Sequence, residues 1–154
     1  MQYSYTYNSP IGEIYITETD GKISYIGYSK EKVTDKIICT SLIKETINQL
    51  EEYFKGKLKD FNIPLLIEGT DFRKKVWKAL ENIPYGKVCT YIDIAKAVDC
   101  PKGARAVGNA IHNNPISIII PCHRVIGKSG NLTGYAGGID KKEKLLELEG
   151  YKLL

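Results

Sequence analysis

The sequence predicts an α/β (α+β) fold in two parts: a small N-terminal sheet-plus-helix domain, residues 1–69, and a mostly helical C-terminal domain, residues 70–154. Three observations carry this. Apolar residues alternate at period two early in the chain and recur at helical spacing later. A glycine, Gly69, precedes a strong helix start. The charge also changes sign there: residues 1–69 hold 8 Lys against 10 Asp or Glu, a net of −2, whereas residues 70–154 hold 14 Lys or Arg against 8 acids, a net of +6.

The stretch YSYTYNSPIGEIYITETDGKISYIGYS alternates at Ile14 and Ile16, turns at Asp20-Gly21, and resumes at Ile23 and Tyr25. It reads as a β-hairpin or meander, with a bulge expected at Gly27. From about Thr34 to Phe54, Ile43, Ile47, Leu50 and Phe54 recur at helical spacing, and Gly56 stops that helix. FNIPLLIEG then reads as one more short strand.

Beyond Gly69, Thr70 is an N-cap, Asp71 suits the positive end of a helix dipole, and Phe72, Val76, Trp77 and Leu80 line one face. Pro84-Tyr85-Gly86 is a turn. Thr90 to Asp93 has capping-box spacing, with Asp in the usual Glu place, and opens a helix with the stripe Ile92, Ile94, Ala95 and Val98. DCPKG is a polar turn and ARAVGNAIHN the next helix, so the pair reads as a helix-turn-helix. Its second helix carries small residues, Ala104, Ala106, Gly108 and Ala110, which suit close packing on a neighbour or a seat in a DNA groove. Asn114-Pro115 ends it. ISIII reads as a strand, GKSGNLTGYAGG as a glycine-rich loop, and Asp140 to Glu149 as a last helix.

Composition excludes several classes. No apolar run approaches the ~20 residues that span a membrane. The N-terminal residues show neither a basic cap nor an apolar signal core, so an intracellular, cytoplasmic protein is expected. Cys39, Cys89, Cys100 and Cys122 are widely spaced without a C-x-x-C pair, which argues for reduced thiols and against structural zinc. The basic C-terminal half fits a polyanionic partner, or lysines that merely solvate a surface.

The densest chemistry lies in IIIPCHRVIGKSG, residues 118–130, where Cys122, His123 and Arg124 are adjacent. A nucleophile, a metal ligand or a packed inert thiol all fit. Nucleophilic attack needs thiolate, of which a free cysteine holds only a few per cent at neutral pH. Adjacent residues on a strand face opposite ways, so His123 serves Cys122 only if the chain turns there or a water bridges them. His123 would also need an orienting acid, and Glu143, Glu147 and Glu149 are candidates.

With the helix-turn-helix, the Asn-Pro hinge and PCHRV in view, the chain closely resembles the O6-alkylguanine-DNA alkyltransferases, the methylated-DNA–protein-cysteine methyltransferases. The match runs from TDFRKKVWKALENIPYGKVCTYIDIAKAV through PCHRVIGKSG to YAGG and LLELEG. The resemblance implies a ribonuclease-H-like N-terminal domain and a winged-helix-like helix-turn-helix in the C-terminal one. It implies Cys122 as alkyl acceptor, His123 as base acting through a water, Glu149 orienting it, Asn114 tying the helix-turn-helix to the reactive turn, and Tyr91 rotating a phosphate and donating a proton. Arg105 would fill the space left in the base stack, with Lys102, Ala104 and Gly108 beside it at the DNA. Tyr135, with backbone around Val125 and Ala136, would line the base pocket. Ala136 stands where many members have serine, Ser117 replaces a proline seen in some, and His112 stands where arginine is common. Relatives that bind alkylated DNA without repairing it have tryptophan in place of the cysteine.

The implied activity is DNA repair by irreversible, single-turnover transfer of a methyl or alkyl group from O6-alkylguanine (and from O4-methylthymine as a further candidate). The expected partner is double-stranded DNA entered through the minor groove with base flipping, bound by a monomer without metal or cofactor. A helix-turn-helix regulator without chemistry and a cysteine hydrolase are the rivals.

Overall fold

The structure is a computed structural model that describes residues 1–34 and 36–152. The chain forms two compact units, Met1–Glu68 and Gly69–Leu154.

The first unit is an antiparallel meander of β1 (Gln2–Ser9), β2 (Gly12–Thr19) and β3 (Lys22–Gly27), in that order. Asp20 and Gly21 connect β2 to β3 with φ of 49° and 80°. Two positive φ angles in a two-residue loop match the right-handed twist of the strands, which is why Asp-Gly is favoured there. The register shifts between Thr17 and Glu18, which pair with Tyr25 and Ile23, so the extra residue is Ser24. The bulge expected at Gly27 is therefore misplaced: Gly27 stays paired with Tyr15. Ser24 tolerates the irregular position because its hydroxyl hydrogen-bonds Thr19 Oγ1 at 2.8 Å.

Helix α1 spans Ser41–Phe54, several residues later than the spacing predicts. The preceding chain is held against β1, where Ser4 N–H donates to the Lys36 carbonyl and Ile38 N–H to the Ser4 carbonyl. Thr40 then caps the helix by accepting from Ile43 N–H. Asp35, inside the predicted helix, lies outside the described residues. The buried face is Ile43, Thr46, Leu50 and Tyr53, with Ile47 and Phe54 only half-buried at its flank. It covers Ile14, Ile16, Ile23 and Ile26, all without solvent exposure. FNIPLLIEG makes only an isolated bridge between Leu65 and Ile23 rather than a strand. Pro64 has no N–H to extend a ladder.

In the second unit, α2 (Asp71–Glu81) begins at the predicted cap, Thr70 accepting from Arg73 N–H. Val76, Trp77 and Leu80 are buried against the helix-turn-helix of α3 (Tyr91–Ala97) and α4 (Ala104–His112). Trp77 Nε1–H donates to the Ala110 carbonyl at 2.8 Å, a directional tie from α2 to α4. Both halves of the Thr90–Asp93 capping box form. Ile92, counted in the α3 stripe, faces outward at 37% exposure, because Tyr91 rather than Ile92 turns toward α4. A two-residue parallel pair, β4 (Cys89–Thr90) with β5 (Val125–Ile126), and α5 (Ile139–Leu148) complete the unit. Among the described residues, no helix is long and apolar enough to cross a membrane.

Candidate active site

The predicted strand Ile116–Ile120 is not a strand. It is a buried turn in which Ile118 takes φ of 74°, Ile120 N–H donates to the Ile116 carbonyl, and Ser117 bridges Ile120. A β-branched residue in the left-handed region is strained. What imposes it is Asn114: its Nδ2 donates to the Ile120 carbonyl at 2.8 Å and its Oδ1 accepts from Ile116 N–H at 3.0 Å. Burial of Ile116, Ile118 and Ile120 holds the turn from the other side.

The turn delivers the chain into a 3₁₀ turn, Cys122–Arg124. Successive side chains there do not alternate across a sheet, so the constraint that a strand would place on Cys122 and His123 does not arise. Val125 and Ile126 then pair with Cys89 and Thr90, immediately before Tyr91. One short ladder thus sets the thiol turn against the first residue of the helix-turn-helix.

His123 is fully buried and its Nε2 lies 2.7 Å from Glu149 Oε2. A carboxylate only accepts, so Nε2 carries the proton and Nδ1 holds the lone pair. Nδ1 is buried and has no hydrogen-bond partner among the described residues. Of the three candidate acids only Glu149 is buried; Glu143 and Glu147 are exposed. Arg124 clamps it, Nε donating to Oε1 at 2.8 Å and Nη2 to Oε2 at 3.1 Å, while Nη1 donates to the Ile83 carbonyl at 2.7 Å.

Burial pushes the Cys122 thiol up, against polar interaction with Asn114, the positive charge of Lys142 and polar interaction with Ser117. Burial likewise holds the His123 imidazole below its ordinary value, against Glu149. The resting pair is therefore a neutral thiol and a neutral imidazole, the latter free to take a proton.

Tyr91 is half-buried, with its hydroxyl 3.2 Å from the Thr133 carbonyl and 3.3 Å from Thr133 Oγ1. Gly108 faces its ring. Lys102 and Arg105 are exposed at the start of α4, beside the half-buried Ala104. They line a groove of about 580 Å³ together with Arg73 and Asn109. Tyr135 and Val125 are buried, and Ala136 is exposed on the glycine-rich loop. Residue-by-residue reading named Arg124 without giving it a role and missed Lys142. The signal for Lys142 was present: Lys142, Leu145, Leu146 and Glu149 follow the i, i+3, i+4, i+7 rule, so the stripe of α5 includes two charged residues.

A sequestered thiol, an imidazole fixed by an acid, and a helix-turn-helix held to the same turn define a cysteine-acceptor transferase built on a nucleic-acid-binding type of domain. Residues 71–151 match the 6-O-methylguanine DNA methyltransferase DNA binding domain, and residues 2–67 match the ribonuclease-like domain of the same proteins. The chain is 49% identical over 149 residues to the methylated-DNA–protein-cysteine methyltransferase of Methanosarcina acetivorans, covering 94% of this chain and 96% of that protein. It is 46% identical over 158 residues to the constitutive one of Bacillus subtilis, covering 97% and 96%. Mycobacterium tuberculosis OGT, solved in complex with DNA, superposes with a TM-score of 0.88 at 44% identity, covering 96% of this chain and 92% of that one. The chain belongs to the methylated-DNA–protein-cysteine methyltransferase family.

Proposed function

We propose that the protein repairs DNA by moving an alkyl group from O6 of guanine onto Cys122, once and irreversibly. The observation that carries this reading is the 2.7 Å contact of His123 Nε2 with Glu149, which leaves the buried Nδ1 as the basic nitrogen of the residue that follows the buried Cys122. The thiol proton passes to His123 through a water. Sulfur then bonds to the alkyl carbon as the carbon–O6 bond breaks, and the electron pair returns to the guanine ring, which takes a proton from the Tyr91 hydroxyl. The product is a thioether, which offers water no acyl carbon, so nothing regenerates the thiol.

A base inside a duplex cannot reach the thiol of a residue that is 4% exposed, so the damaged nucleotide leaves the stack, at a cost of a few kcal/mol. The exposed Lys102 and Arg105, with the small Ala104 and Gly108 on α4, support a face that enters the minor groove, Arg105 filling the gap in the stack. Minor-groove entry reads little sequence, which suits a search for damage. Tyr91 exchanges its bond to Thr133 for the phosphate and the base, and Tyr135, Val125 and Ala136 line the base pocket. Asn114 acts through the Ile116–Ile120 turn. Action on DNA in the cytoplasm, as a monomer and without a cofactor, completes the reading.

Excess O6-methylguanine duplex should add one methyl per chain, on the peptide that holds Cys122, as read by mass spectrometry. Multiple turnovers without an adduct would turn the reading toward a hydrolase. Binding with an unmodified Cys122 would turn it toward a DNA-binding regulator.

A further inference from the structure

The face of α4 that stays in solvent consists of Arg105, Ala106, Asn109 and His112. Asn109 is the amide on that face, and its orientation is set from outside the helix. Arg73 on α2 lines the same groove as Lys102 and Arg105, and its Nη2 donates to Asn109 Oδ1 at 3.0 Å. A guanidinium only donates, so the atom that meets it is the oxygen, and the Nδ2 group is turned away from it. The bond that Asn109 accepts from Asn113 uses its backbone carbonyl and leaves the side chain alone. Among the described residues no group accepts from Nδ2, so the oriented amide presents two N–H donors and no open acceptor.

We propose that Asn109 is a specificity-determining residue that reads the DNA flanking the lesion, with Arg73 as its positioning residue: the amide offers donors to the minor-groove edge of one base pair and so favours A·T over G·C there. The proposal rests on the reading that α4 enters the minor groove. In that groove A·T and T·A pairs show only acceptors, adenine N3 and thymine O2, whereas G·C adds the guanine 2-amino group, a donor. A freely turning amide would lose the distinction, because its oxygen could accept from that amino group. Arg73 removes the option, since turning the amide would set donor against donor. Ala106, beside Asn109 on the exposed face, has no side chain long enough to hold the helix off the groove floor. Four residues at about 1.5 Å each place Asn109 about 6 Å along the axis from Arg105. At about 3.4 Å per base pair, the pair that it reads lies on the order of two steps from the gap that Arg105 fills.

Single-turnover transfer at subsaturating protein is measured on O6-methylguanine duplexes in which each flanking pair in turn is A·T, G·C or I·C. The proteins are the wild type, Asn109→Ala, Arg73→Met and Arg73→Lys. Inosine is guanosine without the 2-amino group, so I·C offers the minor groove acceptors alone, as A·T does. At one flanking position the wild type should prefer I·C and A·T over G·C by about three- to tenfold, the effect of one hydrogen bond made or lost. There Asn109→Ala and Arg73→Met should bring the ratio of I·C to G·C close to unity. Arg73→Lys should keep most of the preference, because an ammonium also only donates. A merely structural role would change stability or general affinity and cancel from this ratio. Wild-type rates equal on I·C and G·C at every position overturn the proposal and leave alkyl transfer standing. So does a loss in the Asn109 or Arg73→Met variant that is the same for all sequences, the mark of a phosphate contact. Equilibrium binding of the same duplexes gives the ratio without any transfer. If the wild type binds them while Cys122 stays unmodified, the alkyl-transfer reading falls and the binding ratios still decide Asn109.

Discussion

Arg124→Met is the sharpest test of how the site is held together. Arg124 is 7% exposed and Glu149 5% exposed, and two short hydrogen bonds join them. The guanidinium also lies 5.8 Å from the Tyr85 ring centroid and holds the Ile83 carbonyl. Methionine fills much of the volume but takes both guanidinium bonds away from the buried carboxylate of Glu149, which keeps His123 and a long contact from Gly86 N–H at 3.4 Å. Removing one partner of a buried pair costs about 3–5 kcal/mol. Small domains hold only about 5–15 kcal/mol in total, so the melting temperature should fall on the order of 10 °C. Glu149→Gln alone should be similarly harmful, since it strands the guanidinium. The double variant should lose less than the sum of the two, by about 1 kcal/mol or more, because no uncompensated charge remains. Urea denaturation of the four proteins gives the cycle. Additivity within about 0.5 kcal/mol would refute the claim that these charges answer each other.

Three further outcomes are expected. Tyr91→Phe should slow single-turnover transfer while costing only about 1 kcal/mol of stability, since Thr133 keeps its bond from Lys142; an unchanged rate removes the proton-donor role. Thr90→Ala loses the α3 capping box and should cost about 1 kcal/mol in a denaturant melt. Lys142→Met should stabilise the protein, because it removes a buried ammonium. The shift of Lys142 from 10.5 to about 8 amounts to about 3 kcal/mol, an upper figure, for holding the charge inside. The unfolded chain binds the extra proton between about 8 and 10.5, so wild-type stability rises with pH through that window and the full penalty applies below it. The Met variant should lack this rise, as thermal melts against pH would record.

What short-range chemistry decides was legible without coordinates. The Asp20-Gly21 turn, the Thr70 cap and the Thr90–Asp93 box each depend on residues within four positions, so local spacing suffices to read them. The Cys-His-Arg cluster and the helix-turn-helix were visible for the same reason. Where α1 starts was not legible, because a strand partner at Ser4, far back in the chain, holds the segment before Thr40 in extended form.

The reactive turn shows the divide most clearly. Three isoleucines in a row carry every mark of a strand, and local propensity places none of them in the left-handed region. Long-range burial and the Asn114 side chain outweigh that preference at Ile118. The sequence alone determined that a thiol, an imidazole and a basic helix-turn-helix share one half of the chain. Only the tertiary structure decided that Glu149 meets His123, that Arg124 is consumed in holding it, and that Lys142 is buried with its Nζ on the Thr133 carbonyl. The reason is physical: spacing along the chain dictates backbone shape, whereas the strength and partners of a charge depend on what encloses it, and residues distant in sequence supply that enclosure.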